Sequence, residues 1–373
     1  MNKSNSRDHY NYSEELLRRL VSFHDLTKPF QVEIQPGIHC DLYRCPHCYG
    51  LIQSQMRGVV KAETYIKVFD EIEGIVPLIQ LSGIRTEPTT HPDIVEIVRG
   101  IKAREFICGL HTKGYRLDSE LRDVLTDDKH DIETYVNISL DSSNSKDYAT
   151  IHDIAENKKD KFGNISENYF DIVINNIQQL YELKKKRNSQ LHINILYLLV
   201  EQNFSEEHLE EVINLVGEYC SVIRFSIPQS RNDGFRPGNY LDEKGLGIIK
   251  TINEKYSDNP KIRVLLNTAS NSDHNTTFKY CYAQLFQTVI DKAGYVFPCP
   301  QVPLFDYKSL AYGNIQEKPL LEILDSAERK ALLSQDVDTE MKCRVCDRKD
   351  ESINIKLSEV FLDQDPSLIL SHM

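Results

Sequence analysis

The sequence predicts an α/β fold built on a parallel sheet, and three observations carry that reading. Short apolar, alternating stretches take turns with amphipathic ones from Phe30 to about Pro228. The first stretch ends at Pro36-Gly37, and three cysteines follow in Cys40-Asp41-Leu42-Tyr43-Arg44-Cys45-Pro46-His47-Cys48. The last third of the chain holds a hairpin pattern bracketed by further cysteines.

In chain order, strands are expected at residues 31–35, 78–82, 105–111, 134–141, 192–200 and 222–227. Helices are expected between them at 62–73, 92–103, 119–125, 169–185 and 205–218. Ser205 before Glu206 and Glu207, and Pro92 behind His91, are helix-start signals. Strand–helix units in series imply parallel strands joined by right-handed crossovers. Ahead of them, residues 13–24 read as an amphipathic helix with Leu16, Leu17, Leu20 and Val21 on one side. The charged stretch 153–167, broken by Gly163, reads as a surface excursion.

Composition narrows the class. The chain has 373 residues, 27% charged and 40% hydrophobic, enough for a full core and an accessory domain. A net charge of -12 with no basic stripe argues against a nucleic-acid partner. There is no long apolar run for a membrane span and no apolar signal core near Met1, so a cytoplasmic location is expected. Nine cysteines in such a chain suggest metal binding rather than disulfides.

The cysteine loop lies at a strand's C-terminal end, where α/β barrels place their chemistry. Three thiolates supply one ligand fewer than a four-iron cluster or a tetrahedral zinc needs, leaving a position open. A zinc knuckle, or a zinc shared with Cys343 and Cys346, satisfies the same donors.

This loop, with Cys-x-x-Cys at its end and the aromatic His47 before the last cysteine, resembles that of the radical SAM enzymes. The family has three residues between the first two cysteines where this chain has four. The resemblance implies a partial (β/α)6 barrel, a [4Fe–4S] cluster on Cys40, Cys45 and Cys48, and S-adenosylmethionine (SAM) on the open iron. Reductive cleavage would then give a 5′-deoxyadenosyl radical. The N-terminal helix would cover the barrel's open side or bottom.

Further cofactor contacts are implied loop by loop. The stretch Ser82-Gly83-Ile84-Arg85-Thr86-Glu87-Pro88 resembles the family's Gly-Gly-Glu-Pro turn, so Glu87 would accept from the methionine ammonium beside Ser82 and Gly83. Thr112-Lys113-Gly114 resembles a Thr-Asn-Gly turn. Ser139-Leu140-Asp141-Ser142 resembles Ser-Leu-Asp-Gly, and Ser139 and Asp141 suit ribose or methionine. Asn194, with Asn203 after it, matches positions that contact the cofactor. Arg224 would fork onto the methionine carboxylate, or else form a structural ion pair.

In the C-terminal third, Cys281 is followed by a hairpin turning at Gly294, then Cys299, Tyr312-Gly313-Asn314-Ile315, and finally Cys343-Arg344-Val345-Cys346. This order resembles the twitch domain, the short form of the SPASM domain. It implies a small β-hairpin plus α domain in which Cys281, Cys299, Cys343 and Cys346 ligate an auxiliary [4Fe–4S] cluster; four thiolates suit zinc as well. The expected division is an N-terminal extension over 1–29, the partial barrel over 30–260, the auxiliary domain over 261–350 and a tail over 351–373.

The function expected is hydrogen abstraction from a sugar- or aminocyclitol-like small molecule, oxidised through the auxiliary cluster. No leader-peptide module is expected in the segment before Cys40. Crosslinking or epimerisation of a ribosomal peptide is the alternative within the family, and a zinc-binding interaction protein the alternative outside it. Cys108 and Cys220 read as buried apolar residues or, more sharply, as hydrogen-atom donors facing the barrel lumen. A flavodoxin- or ferredoxin-type electron donor is the implied partner. The run Lys184-Lys185-Lys186-Arg187 reads as a solvated helix end, favoured by the helix dipole, or as a docking patch for that donor.

Overall fold

The structure is a computed structural model that describes residues 25–40, 42, 45, 47–48, 58–83, 86–128, 133–154, 169–226, 243–265, 278–300, 307–341, 346 and 348–371. The expected helix at 13–24, most of the 153–167 excursion and Cys343 lie outside the described residues.

One sheet organises the chain. Strands β1 (Gln31–Ile34), β2 (Leu78–Leu81), β3 (Ile107–Thr112), β4 (Thr134–Ser139), β5 (His192–Leu198), β6 (Val222–Ser226) and β7 (Ile262–Leu265) pair in parallel, each beside its successor. The expected strands are all present. β3 starts two residues later than expected because Glu105 turns the chain with a φ of 61°. Helices α1 (Ala62–Ile72), α2 (Ile94–Lys102), α3 (Ser119–Leu125), α4 (Ser145–Ile151), α5 (Tyr169–Arg187), α6 (Glu206–Val216) and α7 (Glu243–Lys255) fill the crossovers. Their starts are locally coded: Asp118 accepts from the Leu121 N–H at 2.9 Å, and Ser205 from the His208 N–H at 3.2 Å.

Alternation gives the sheet two unlike faces. Val32, Ile34, Ile79, Leu81, Cys108, Leu110, Val136, Ile138, Ile193, Ile195, Ile223 and Phe225 share the apolar core with the helices. The opposite face carries Glu33, Gln80, His111, Tyr135, Asn137, His192, Asn194 and Arg224.

In the C-terminal third the expected hairpin is present, its strands pairing antiparallel around the turn at Gly294, and it joins the main sheet. β8 (Gln287–Ile290) pairs in parallel with β1, and β9 (Tyr295–Phe297) and β10 (Gly313–Asn314) follow antiparallel. The result is a single ten-stranded sheet in the order β10-β9-β8-β1-β2-β3-β4-β5-β6-β7, parallel from β8 through β7 and not closed into a barrel. Helices α8 (Leu320–Leu324), α9 (Ala327–Leu333), α10 (Arg348–Phe361) and α11 (Pro366–Ser371) complete the chain. The segment expected as a tail is thus mostly helical, from α10 and α11, and Ile353, Asn354 and Leu357 of α10 are buried.

Candidate active site

The loop after β1 is pinned before its first cysteine. Gly37 lies so close to the Glu87 backbone that a Cβ has no space there. The Ile38 N–H donates to Thr90 Oγ1 at 2.9 Å, and the Glu87 N–H to the His39 carbonyl at 2.8 Å. Cys40 is half-buried at the end of this clamp, Cys45 is buried, and the Cys48 N–H closes a turn on the Cys45 carbonyl at 2.9 Å. Burial pushes the Cys40 thiol up to about 11 and the Cys45 thiol up to about 12; Lys113 opposes both rises, and the neighbouring thiols add to them.

Glu87 is buried and its carboxylate staples two loops together. One oxygen accepts from Thr112 Oγ1 at 2.5 Å and Thr89 Oγ1 at 2.8 Å, the other from the Lys113 N–H at 2.8 Å. Burial raises its pKa above the usual carboxylate value, and the hydrogen bonds from Thr112, the Lys113 N–H and Thr89 resist that rise. The expected role as acceptor for an ammonium therefore competes with donors of the chain itself. Gly83 has no room for a Cβ against Thr86.

Lys113, inside the turn singled out after β3, reaches Asp141 at 3.3 Å. Burial opposes its charge, but Asp141 and the nearby thiols hold its pKa above the ordinary lysine value. Asp141 sits in the left-handed region at a φ of 58°, accepts from the Leu198 N–H at 2.9 Å, and receives Asn203 Nδ2 on its carbonyl at 2.8 Å. Burial works against the Asp141 carboxylate, yet Lys113 and then His152 keep it below the usual range. His152 lies 3.7 Å from Asp141 and places Nδ1 3.0 Å from Cys45 Sγ. Burial, then Lys113, drives its pKa well below the ordinary histidine value.

The polar face of the sheet lies below this loop cluster. Glu33 accepts from Ser82 Oγ at 2.5 Å, Gln35 Nε2 at 3.0 Å and Gln80 Nε2 at 3.2 Å. Tyr135 OH continues the chain to Gln80 at 3.1 Å, in the space that Gly109 leaves by lacking a Cβ. One row up, Asn137 lies 2.9 Å from His111 and accepts from Asn194 at 3.0 Å. Ser82 and Asn194, expected at the cofactor, therefore belong to this network. Ser139 lies one register step further along β4. Arg224 is on β6, about 14 Å along the sheet from β3 at roughly 4.8 Å per strand, so the cation beside Cys40 and Cys45 is Lys113.

Neither isolated cysteine faces this surface, which corrects both expected hydrogen donors. Cys108 alternates onto the apolar face against α2, where Lys102 is its charged neighbour. Cys220 precedes β6 at the opposite edge of the sheet and packs in the core, its Sγ 3.9 Å from the Gly217 carbonyl. The Lys184–Arg187 run is at that same edge, where α5 ends before β5 begins; Arg187 is paired with Asp123 at 2.7 Å.

The second cysteine set is also across the sheet from the first. Cys281 lies ahead of β8 and Cys299 beyond β9, at the edge where β1 begins. The length of β1, about 10 Å at roughly 3.3 Å per residue, separates the two levels. Asn354 of α10 contacts Cys281 Sγ at 3.8 Å and Cys346 Sγ at 3.9 Å, bringing those two cysteines to one point.

The donors suit the expected groups. Three thiols on one short loop, faced by the half-buried cation Lys113, fit a cluster whose thiolates carry net negative charge. Cys45, His47 and His152 also converge, their ligand atoms within 4.8 Å of one another, a set able to hold a metal ion by itself. Sequence reasoning missed Lys113, His152, Glu33, His111 and Asn137. The strand residues had a signal, since polar side chains recur at every second position of otherwise apolar runs.

Comparison with known proteins resolves the choice of centre. Residues 34–216 match the radical SAM superfamily and residues 281–347 match SPASM, an iron–sulfur cluster-binding domain. A curated relative from Pyrococcus furiosus, a cofactor-modifying protein of tungsten-containing aldehyde ferredoxin oxidoreductase, is 32% identical over 84 residues, which is 22% of this chain and only 23% of the relative. Among solved structures, Streptococcus suis SuiB bound to its precursor peptide SuiA superposes with a TM-score of 0.60 at 16% identity, over 83% of this chain and 67% of SuiB. Native anSMEcpe with bound SAM superposes with a TM-score of 0.54 at 17% identity, over 91% of this chain and 98% of its own. These likenesses give the fold, and the family matches give the cofactors: SAM, a [4Fe–4S] cluster and a further iron–sulfur centre. The chain belongs to the radical SAM superfamily and carries a SPASM iron–sulfur domain.

Proposed function

We propose that this enzyme is an oxidoreductase that removes hydrogen from a C–H bond of a small, polar, sugar- or aminocyclitol-like substrate. Cys40, Cys45 and Cys48 hold the first cluster, and Cys281, Cys299, Cys343 and Cys346 the auxiliary one. With SAM bound, the first cluster supplies the hydrogen-abstracting 5′-deoxyadenosyl radical. The observation that carries the reading is the polar face: Glu33, Gln80, Tyr135, His111, Asn137 and Asn194 form hydrogen-bonded chains across five neighbouring strands. Such a surface suits a ligand with many hydroxyl or amino groups, because polar groups of a ligand taken out of water need polar partners.

The chain's residues divide the work. Lys113 offsets thiolate charge and offers its ammonium to the methionine carboxylate. Glu87 fixes the Lys113 backbone, and Asp141 fixes its side chain. His111 is placed on the polar face to take the proton that leaves as a C–H carbon becomes a carbonyl. Four cysteines remain for the C-terminal centre once the loop and the two core thiols are set aside. Four thiolates fully ligate one cluster, which supports electron transfer there rather than substrate binding. A flavodoxin- or ferredoxin-type donor is the partner this chemistry requires.

A peptide substrate is the second reading, favoured by the precursor peptide held by SuiB, which has the same fold. Anaerobic reconstitution followed by 5′-deoxyadenosine measurement separates the two. A panel of polyols and aminocyclitols should stimulate cleavage and yield a product lighter by two hydrogens. Stimulation by peptides alone would overturn the small-molecule reading.

A further inference from the structure

We infer that Asn354 is a positioning residue for the auxiliary centre, donating both N–H groups of its side-chain amide to the sulfurs of Cys281 and Cys346. This rests on the assignment of those cysteines as cluster ligands. The side chain is fully buried. Its orientation is set from outside the cysteine pair: Asn354 Oδ1 accepts the Ala283 N–H at 2.7 Å. An amide whose oxygen is committed in this way must turn its nitrogen to the other side. That nitrogen lies 3.8 Å from Cys281 Sγ and 3.9 Å from Cys346 Sγ, within reach of N–H···S bonding.

The arrangement does two things. It ties a cysteine ahead of β8 to one just ahead of α10, so a single amide sets the separation of two ligands distant in sequence. It also aims two partial positive charges at sulfur. Hydrogen bonds to ligand sulfurs withdraw electron density and favour the reduced, more negative form of a cluster. Asn354 therefore raises the potential of the auxiliary centre and makes it a better acceptor. An apolar residue of similar size would fill the space without doing so. Asp350, one turn earlier on α10, raises the cost of negative charge at Cys281. Asn354 is the uncharged counterweight on the same helix.

The test is an anaerobic redox titration followed by electron paramagnetic resonance. The background is Cys40→Ala/Cys45→Ala/Cys48→Ala, so that only the auxiliary signal remains. Asn354→Asp keeps the acceptor for Ala283 and removes both donors; Asn354→Leu removes all polarity. Both should retain about four irons per chain and shift the midpoint to more negative potential. An unchanged midpoint in both variants overturns the inference. Absence of iron in the background protein itself instead overturns the ligand assignment beneath it. A measurement on unaltered Asn354 covers the case in which both substitutions lose the cluster. Pulsed resonance of the reduced centre, in protein whose asparagine side chains carry heavy nitrogen, should show a nitrogen coupling. No coupling overturns the inference.

Discussion

Glu87 shows how a buried carboxylate can serve a ligand site without touching the ligand first. A carboxylate offers about four acceptor positions, and here Thr112 Oγ1, Thr89 Oγ1, the Lys113 N–H and the Thr89 N–H fill them at 2.5, 2.8, 2.8 and 3.4 Å. Replacing it with Gln exchanges one acceptor for a donor and sets N–H against N–H or O–H. We expect Glu87→Gln to destabilise the cluster-free protein by about 1–3 kcal/mol, the cost of an unsatisfied buried polar group. SAM affinity should fall as well, because Lys113 loses its backbone anchor. Thermal unfolding and equilibrium dialysis measure the two effects. A loss of SAM binding at unchanged stability would make Glu87 a pure ligand contact. At the cysteines the expectation is simpler. Cys40→Ala/Cys45→Ala/Cys48→Ala should lose all SAM cleavage and about half of its iron, on two clusters of equal size; retained cleavage would remove the loop from the mechanism.

At the scale of elements, the turn between β8 and β9 gives a prediction in pH. Asp291 is buried, accepts from the Ala293 and Tyr295 N–H groups at 2.9 Å, and is raised by burial from 3.8 to about 6. The folded chain therefore holds a proton that the unfolded chain has released. The stabilisation is full below about pH 4 and is lost as pH rises through about 6. Asp291→Asn keeps an acceptor for both N–H groups and should flatten this slope. At about pH 8 it should stabilise the protein by at most about 3 kcal/mol for a two-unit shift, read as a higher melting temperature. A slope identical to that of the native chain would show that Asp291 does not titrate as placed. The strands and helices of the half-barrel were legible because period and start signals agreed there, as at Ser205. The placement of β8 was not, because strand pairing over such a separation leaves no local signal in 287–290 or 31–34. His152 was illegible for the same reason: its partner Cys45 is 107 residues away. Lys113 stood inside a turn already singled out, but its side-chain direction depends on Asp141, which another loop supplies.

For the molecule as a whole, the parallel pairing of β8 with β1 makes the C-terminal third part of the same sheet. The Gln31 N–H donates to the Phe286 carbonyl at 2.9 Å and the Gln35 N–H to the Ile290 carbonyl at 2.8 Å, so the strand that leads into the cysteine loop has both edges paired. Ile290, Val296, Ile315, Leu320 and Leu324 share one core with Val32, Tyr65 and Phe69. Glu71 at the end of α1 accepts the Leu320 and Leu321 N–H groups at 2.8 and 2.6 Å, capping a helix of the distal segment. Buried Arg329 reaches back to the Thr27 carbonyl at 2.9 Å, ahead of β1. A truncation ending before Phe278 would strip β1 of a partner, expose an apolar strip along α1, and leave an open edge suited to aggregation. The intact chain should therefore unfold in urea as one transition, with coincident midpoints by far-ultraviolet dichroism and tyrosine fluorescence. The truncated chain should be insoluble or lack a cooperative transition. A soluble truncation that melts cooperatively, alongside two separated transitions in the intact protein, would show instead that the half-barrel stands alone and the shared sheet contributes little to its stability.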